Sequence, residues 1–215
     1  SFTVTASNAT QTSSPLDVTF FINTNYAIGM EAQGGYIYYI LNSNDPGYDP
    51  NIQHGLVCAV ELQSDGISWG NGYLQEIGGT GTGIGYGLSN TDAIIAVQSI
   101  QAGASDFAAR VARDYNGGGY NDWYLPSINE LILLDNVKDY MPINLNYTHY
   151  WSSSEYDAGS GYKIYFGNNS NSISLAIEPK LMLIYSAFIY LFYIFLKKHQ
   201  NYEYFKNRSK STYLS

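Results

Sequence analysis

The sequence predicts an α+β domain over residues 25–179, with short strands at both ends and about three short helices between them. Strand-like apolar runs lie near both ends of this segment, helix-like periodicity lies between them, and turn-forming residues separate the runs. A chain of 215 residues is long enough for one full hydrophobic core and one small additional unit. We therefore expect a single main domain, flanked by residues 1–24 and 180–215.

Residues 1–24 contain two alternating runs, at 2–6 and 17–22, separated by the polar and turn-rich stretch 7–15. Alternation with a period of two predicts a β-hairpin. The composition of this hairpin resembles the last two strands of the immunoglobulin-like or fibronectin-type repeats of bacterial surface proteins. On that resemblance, the hairpin is the end of such a repeat and the chain is part of a longer protein.

The main domain is expected to begin with two buried strands. Residues 34–41 and 55–62 are mostly apolar, and the loop 42–50 between them is rich in Asn, Asp, Pro and Gly. Cys58, the only cysteine, lies in the second strand. An intrachain disulfide and a cysteine-pair metal site are therefore excluded, and a buried position as a small apolar side chain is expected.

Three helices are expected next. Residues 90–100 and 105–113 each open with a capping residue, Asn90 and Ser105, and continue with an apolar period near 3.6. The third helix has the clearest start, because Ser127 and Glu130 have the spacing of a capping box, in which each side chain accepts a hydrogen bond from the other residue's backbone N–H.

Short strands are expected to complete the domain. They are predicted at 150–155, 162–167 and 172–177, and the polar loop 168–171 is expected to join the last two as a hairpin.

The composition favours a binding module and excludes nucleic acid as a partner. The chain has 21 Gly and 22 Tyr but only 13% charged residues, which is typical of tight turns and amphipathic aromatic surfaces. Residues 180–215 hold six Lys or Arg and one Glu, which leaves four basic and seventeen acidic residues before them, a net charge of −13. Four basic side chains are too few to neutralise a phosphate backbone.

Two motifs suggest enzymes, but a structural role is favoured for each. Residues 66–70 match the G-x-S-x-G string of serine hydrolases, with Ser68 as the hypothetical nucleophile and His149 as its partner, but no helix is expected directly after it. A turn around a buried Trp69 is favoured. The glycine run 78–87 lacks the spacing of nucleotide-binding loops, so a tightly turned loop is favoured there.

No cofactor is expected, and calcium is the one metal for which suitable ligands are present. The three histidines His54, His149 and His199 lack zinc-site spacing. Carboxylates of the kind calcium prefers are not organised in a calcium-loop motif. These carboxylates belong to Asp45, Asp49, Glu155, Asp157 and Glu178.

Six strings of residues occur in an order that resembles the Lcl C-terminal domain family, named for the C-terminal domain of a collagen-like bacterial adhesin. The resemblance covers residues from about 27 to about 178. The strings are Gly34-Gly-Tyr-Ile-Tyr-Tyr-Ile, His54-Gly-Leu-Val, Trp69-Gly, Gly85-Tyr-Gly-Leu-Ser-Asn-Thr, Gly119-Tyr-Asn-Asp-Trp-Tyr-Leu-Pro-Ser-Ile-Asn-Glu-Leu and Tyr150-Trp-Ser-Ser-Ser-Glu.

The resemblance implies an exported or surface-attached bacterial protein with a C-type-lectin-like fold, and the named relative binds host polysaccharide. No catalytic residues carry over. The paired signatures of calcium-dependent sugar-binding lectins are missing, because Asn121-Asp-Trp reverses their order and Glu178-Pro-Lys lacks the amide. The candidate ligand-binding residues are Asp122, Trp123, Trp151, Glu155 and Asp157. Core positions are favoured for the two tryptophans, and a role in fixing the turn before the helix for Asp122.

The segment 180–215 departs from the family pattern, in which the domain ends in a short strand. Residues 181–196 are sixteen uncharged positions followed by a basic segment. Three interpretations remain open: translation past a frameshift, a membrane anchor of marginal length, and an ordinary buried strand. A membrane is expected as a partner only under the second.

These observations favour a non-enzymatic binding module of the cell envelope or the extracellular space. Its glycine-rich loops and exposed tyrosines are expected to form the contact surface for a glycan or a protein. Two alternatives remain: a hydrolase that uses Ser68, and a structural cap that closes a stack of surface repeats.

Overall fold

The computed structural model describes residues 21–22, 26–64, 66–71, 75–100, 106–145, 148–167, 174–179, 191–196 and 200–201. Internal contacts divide the chain into a small unit, Ser1–Thr24 with His199–Ser215, and a main unit, Asn25–Lys198. In the small unit, strand β1 (Phe21–Ile22) pairs antiparallel with β9 (Gln200–Asn201). Apart from residues 21–22, the hairpin predicted for residues 1–24 lies outside the described residues.

The main unit has a mixed α+β architecture, as the sequence predicts, and its first sheet has four antiparallel strands. Their order is β2-β3-β4-β8, with β2 at Glu31–Ala32, β3 at Gly35–Ile40, β4 at Gln53–Ala59 and β8 at Leu191–Leu196. The strand predicted at 55–62 therefore begins and ends earlier. The turn between β2 and β3 places Gln33 and Gly34 at φ of 48° and 80°, a conformation that two-residue hairpin turns require.

The second sheet has three antiparallel strands in the order β5-β6-β7. They span Thr148–Asp157, Ser160–Phe166 and Ser174–Pro179. A two-residue turn joins β5 to β6, where Asp157 Oδ1 accepts a hydrogen bond from Gly159 N at 2.8 Å. The loop predicted at 168–171 lies outside the described residues.

The described residues contain three α-helices, but two of the predicted helix starts were wrong. Helix α1 spans Gly87–Gln98, so Asn90 lies inside it, and α2 spans Ala108–Asp114 after Phe107 rather than after Ser105. Helix α3 spans Ile128–Val137 and begins with the predicted capping box between Ser127 and Glu130. Short 3-10 turns span Gly117–Gly119 and Lys138–Tyr140.

The core forms two apolar clusters, on opposite faces of the first sheet. Alternate residues of a strand point to opposite faces, and in β4 the side chains of Val57 and Ala59 belong to one cluster and those of Leu56 and Cys58 to the other. The first cluster contains Trp69, Phe107, Trp123 and Trp151, and the second contains Tyr38, Tyr124, Leu131, Leu134, Tyr150 and Phe166. Because both faces are covered, β4 is apolar on both faces from Leu56 to Ala59.

Cys58 is buried, as expected. Burial raises the pKa of its thiol to about 12, so the thiol is protonated at neutral pH. A protonated and buried thiol is a packing group rather than a nucleophile.

A buried ion pair lies at the end of α3. Lys138 Nζ is 2.9 Å from Asp135 Oδ1, and the two side chains are 0% and 1% exposed. Burial raises the pKa of Asp135, and the hydrogen bond and charge of Lys138 offset part of this effect. The Lys138 ammonium also lies 6.0 Å from the centre of the Phe166 ring. Each charge therefore depends on the other for its stability in the core.

The last six of residues 181–196 form β8, which pairs with β4 from Gln53–Leu196 to Cys58–Leu191. In the part of the chain that the structure describes, no helix is long and apolar enough to cross a membrane. The frameshift interpretation concerns how the segment 180–215 arose, and the anchor interpretation concerns whether it lies in a membrane. Both stay predictions.

Candidate ligand-binding surface

Residues 77–86, which we call the strap, connect the region after Trp69 to the start of α1 without forming a helix or a strand. The strap contains five glycines, and three of them adopt positive φ: Gly78 at 70°, Gly79 at 76° and Gly85 at 86°. Side chains other than glycine rarely adopt this conformation. The glycine run is therefore a tightly turned loop, as its sequence predicts.

One end of the strap is fixed to β5. The carboxylate of Glu155 accepts hydrogen bonds from the backbone N–H groups of Ile77, at 2.8 Å, and Gly78, at 3.1 Å. The backbone N–H of Glu155 donates to Thr80 Oγ1 at 3.0 Å, and Ser154 Oγ donates to Gly81 O at 2.8 Å. The Ser-Ser-Ser-Glu string after Trp151 thus supplies polar partners to the strap.

The middle of the strap is fixed to α1 and to the start of α3. Asn90 bonds Gly81 twice, since its Oδ1 accepts from Gly81 N at 2.8 Å and its Nδ2 donates to Gly81 O at 2.7 Å. Ser127 Oγ donates to Gly83 O at 2.7 Å. These bonds replace the pairing that a strand would have, which explains how an irregular segment can lie against the body of the domain.

Glu130 joins the strap to both helix starts. Its side chain is fully buried and accepts hydrogen bonds from Gly85 N and Ser127 N, each at 2.8 Å. Burial raises the pKa of Glu130, while the hydrogen bonds from Ser127, Gly85 and Gly87 offset part of the effect. Since Gly87 is the first residue of α1 and Ser127 is the cap of α3, the carboxyl group lies where two helix N-termini favour negative charge.

Tyr86, the last residue of the strap, packs its ring against the strap backbone and remains exposed. Its ring lies over Gly81, where an added methyl group would overlap ring carbons, and a Cβ atom at Gly83 would be 3.4 Å from the ring. The residue is still 49% exposed. One side of the ring is thus supported by backbone, so Tyr86 presents an aromatic surface in a fixed position.

The loop 42–50 lies beside Gly85, the residue directly before Tyr86. A Cβ atom at Gly85 would be 3.5 Å from the Pro46 side chain, and Tyr48 is 42% exposed. Internal bonds hold this loop, since the Tyr39 hydroxyl donates to Asp45 Oδ2 at 2.8 Å. His54 Nδ1 donates to Gly47 O at 2.5 Å. Exposed tyrosines on two well-supported loops form the candidate surface.

The residues predicted as ligand contacts have different surroundings in the structure. Trp123 and Trp151 are buried in the core, where their Nε1 atoms donate to Gly117 O at 3.2 Å and Ile67 O at 3.1 Å. Their rings are therefore not available as ligand platforms. Asp122 is exposed, Glu155 binds the strap, and Asp157 holds the β5–β6 turn.

Ser68 does not lie on a nucleophile elbow, which requires a strand that runs directly into a helix. Trp69 is buried, and its Nε1 donates to Ser152 O at 2.7 Å, as the turn interpretation predicts. Residues 72–74 are not described, and from residue 75 onward the chain is irregular until α1 begins at Gly87. The ring of His149 packs against Tyr165, with the ring centres 4.9 Å apart.

The predicted calcium ligands are likewise dispersed. Within the described ranges, no group of three or more His, Cys, Asp or Glu residues is arranged to hold a metal ion. Asp45 and Asp49 accept hydrogen bonds from the backbone N–H groups of Asn42 and Asn51, so they stabilise turns of the loop 42–50. His199 and the Glu178 side chain lie outside the described part of the structure, and calcium binding stays a prediction.

A separate cleft of about 490 Å³ was not indicated by the sequence. Its lining residues are Glu61, Leu62, Gln63, Asp106, Val111, Asp114 and Tyr115. The Tyr115 hydroxyl donates to Glu61 Oε1 at 3.4 Å, and burial is the main cause that raises the pKa of Tyr115. Three carboxylates make this cleft acidic, in line with the net negative charge before residue 180.

No protein-family model matches this chain, and no curated protein matches it. The resemblance to the Lcl C-terminal domain family therefore stays a prediction that rests on the motifs themselves.

Tyr86 was not predicted from the sequence as a ligand-binding residue, although the residues before it form a pattern that points to a packed ring. Three glycines at alternate positions, Gly81, Gly83 and Gly85, directly precede a tyrosine. Gly81 and Gly83 do not adopt positive φ. Glycine at such a position often marks a close approach by another group, and here that group is the Tyr86 ring.

We expect Gly81→Ala to displace the Tyr86 ring, because the added methyl group would occupy its position. Gly83→Ala is the matched control, since its methyl group would make an ordinary contact at 3.4 Å. In NMR spectra, the ring-current shifts that Tyr86 imposes on neighbouring strap protons are expected to change strongly only in the Gly81 variant. Equal changes in these shifts for the two variants would contradict the position of the Tyr86 ring over Gly81.

Proposed function

We propose that this domain is a non-enzymatic binding module of a bacterial surface or secreted protein, and that it recognises a glycan at the surface around Tyr86. The single observation that carries the proposal is the Tyr86 ring, which is supported by the glycine backbone on one side and exposed on the other. Rigid aromatic side chains supply contact area at a low cost in conformational entropy. A sugar ring presents a flat apolar face that such a platform fits.

The surroundings of Tyr86 support a polar ligand. The exposed side chains of Ser89 and Thr82 lie on the same strap-to-helix segment, and Tyr48 lies on the neighbouring loop. Binding sites commonly combine an apolar platform with a few polar groups that fix orientation. The net charge of −13 before residue 180 favours a neutral or cationic glycan over a sulfated one.

We also propose a C-type-lectin-like form for the main unit and membership in the Lcl C-terminal domain family. The support is the motif order together with the roles of the motif residues. The Leu-Pro-Ser-Ile-Asn-Glu string supplies Ser127 and Glu130, and the Trp-Ser-Ser-Ser-Glu string supplies Ser154 and Glu155, and all four of these residues bind the strap.

The test is a glycan-array screen of the complete chain, in calcium and in chelator, with three variants. We expect specific binding that Tyr86→Ala weakens roughly tenfold or more, as expected for loss of a central aromatic anchor. Tyr140→Ala is the matched control, because Tyr140 is 74% exposed on a 3-10 turn. Ser68→Ala is expected to bind like the wild type.

Two results would contradict the proposal. Equal binding by the Tyr86 and Tyr140 variants would remove Tyr86 from the site. A blank array in both buffers would favour a protein ligand or a structural cap instead of a glycan-binding module.

A further inference from the structure

Two Asn-Gly pairs occur in the chain, Asn71-Gly72 and Asn116-Gly117. Asparagine is among the residues that decay chemically in proteins. The reaction is fastest before glycine, because a residue without a side chain leaves the following backbone nitrogen accessible and the backbone free to rotate. Whether either pair reacts in the folded protein is therefore decided by the surroundings of its asparagine.

The surroundings of Asn116 leave both reacting atoms accessible. Asn116 is exposed, and its side chain makes no hydrogen bond to the 3-10 turn Gly117–Gly119 that follows it. Among the described residues, none accepts a hydrogen bond from the Gly117 N–H. The reaction requires rotation about the Asn116 ψ angle, which is 27°. The described bond that resists this rotation is the one from Gly119 N to Asn116 O, at 3.0 Å.

The surroundings of Asn71 are the opposite. Its side chain is buried, and its Nδ2 donates a hydrogen bond to Gln98 O. Its backbone N–H donates to Gln98 Oε1 at 3.1 Å. Since an amide held in this way reacts only after these bonds open, the fold protects Asn71 and leaves Asn116 unprotected.

We propose that Asn116 is a site of spontaneous deamidation and isomerisation, with water as the co-reactant. The Gly117 nitrogen loses its proton and forms a bond to Asn116 Cγ, while the Cγ–Nδ2 bond breaks and ammonia leaves with that proton. Water then opens the cyclic imide. Opening at Cγ gives aspartate, and opening at the main-chain carbonyl gives isoaspartate, in which the main chain is one methylene longer.

The turn after Asn116 has little room for a longer main chain. A Cβ atom at Gly34, in the turn between β2 and β3, would lie 2.7 Å from Gly118 Cα, so the two backbones are already in close contact. Gly117 O accepts the hydrogen bond from the buried Trp123 Nε1 at 3.2 Å. Isoaspartate at position 116 is therefore expected to separate the two turns and to weaken the bond to Trp123.

The test follows both asparagines in the complete chain. The folded protein is incubated at mildly alkaline pH and digested, and the two Asn-Gly peptides are quantified by mass spectrometry. We expect Asn116 to convert roughly tenfold or more faster than Asn71, because the bonds of Asn71 must open first. The rate is expected to rise with pH, since the Gly117 nitrogen must lose a proton. Asn116→Gln is expected to abolish the conversion, because the longer side chain forms the ring far more slowly.

Urea-unfolded protein is the reference for the role of the fold. The two asparagines are expected to convert at similar rates there. Conversion of Asn116 no faster than that of Asn71 in the folded protein would overturn the proposal. A difference that persists unchanged in urea would also overturn it, because the local sequence rather than the fold would then set the rates.

The exchange rate of the Trp123 indole proton tests the consequence of the reaction. Faster exchange is expected in the isoaspartate fraction, isolated by chromatography, than in the wild type. Asn116→Asp is the matched control, because it carries the new charge on a main chain of normal length. Equal exchange in the isoaspartate fraction and in this variant would contradict the predicted loosening of the turn.

Discussion

Replacing Glu130 with alanine is expected to lower the free energy of unfolding by about 3 kcal/mol, because one fully buried and one partly buried backbone donor lose their acceptor. The carboxyl group accepts from Ser127 N in the capping box and from Gly85 N in the strap. Ser127 and Glu130 are fully buried, whereas the bond from Gly85 is only partly buried, so most of the loss is expected to come from the Ser127 donor. Urea unfolding followed by circular dichroism measures the change.

Two control variants separate this effect from a general effect of losing a carboxylate. Glu130→Gln keeps one carbonyl oxygen as an acceptor, so an intermediate loss is expected. Glu76→Ala removes an exposed carboxylate just before the strap, and its effect is expected to stay within about 0.5 kcal/mol. A loss below about 1 kcal/mol for Glu130→Ala would mean that the strap and α3 do not depend on this group.

Replacing Lys138 with methionine is expected to cost about 3–5 kcal/mol, the usual effect of leaving one member of a buried ion pair without its partner. Lys138 and Asp135 are both almost completely buried, and their charged atoms are 2.9 Å apart. The methionine retains most of the apolar stem, so the loss reports on the charge rather than on a cavity.

The double variant Asp135→Leu with Lys138→Met is expected to recover most of this loss. Two apolar side chains remove both buried charges, and such replacements are often neutral or stabilising. A double-mutant cycle on the free energy of unfolding measures the coupling between the two positions. Losses that simply add would show that the two charges do not stabilise one another.

Local signals in the sequence predicted some elements correctly, because both partners lie close together in the chain. Ser127 and Glu130 are three residues apart, and a capping box requires only that spacing. The α+β class follows from the order of strand-like and helix-like segments in the same way.

Contacts between distant parts of the chain could not be predicted in this way. Asn90 has the side chain of a helix cap, but its amide bonds Gly81 and leaves α1 to begin at Gly87. β8 pairs with β4 across more than 130 residues, and the apolar composition of the segment does not distinguish such a strand from an anchor.

The candidate surface was predicted only in part, for the same reason. Glycine-rich loops and exposed tyrosines were expected to form it, but which tyrosine is supported depends on how the strap turns. Gly85 adopts a positive φ directly before Tyr86, and the ring then lies over Gly81, five residues earlier. Core positions were favoured for Trp123 and Trp151 over ligand contacts, and both side chains are buried in the core. A ligand contact at Asp122 stays a prediction.

Side chains from α1, α3 and β5 hold the strap in one conformation, and amide hydrogen exchange resolved by NMR tests this arrangement most directly. Slow exchange is expected at Gly81 and Gly85, whose N–H groups bond Asn90 and Glu130. Faster exchange is expected at Gly81 in Asn90→Ala and at Gly85 in Glu130→Gln. Exchange at both glycines of the wild type as fast as in an unstructured peptide would contradict it.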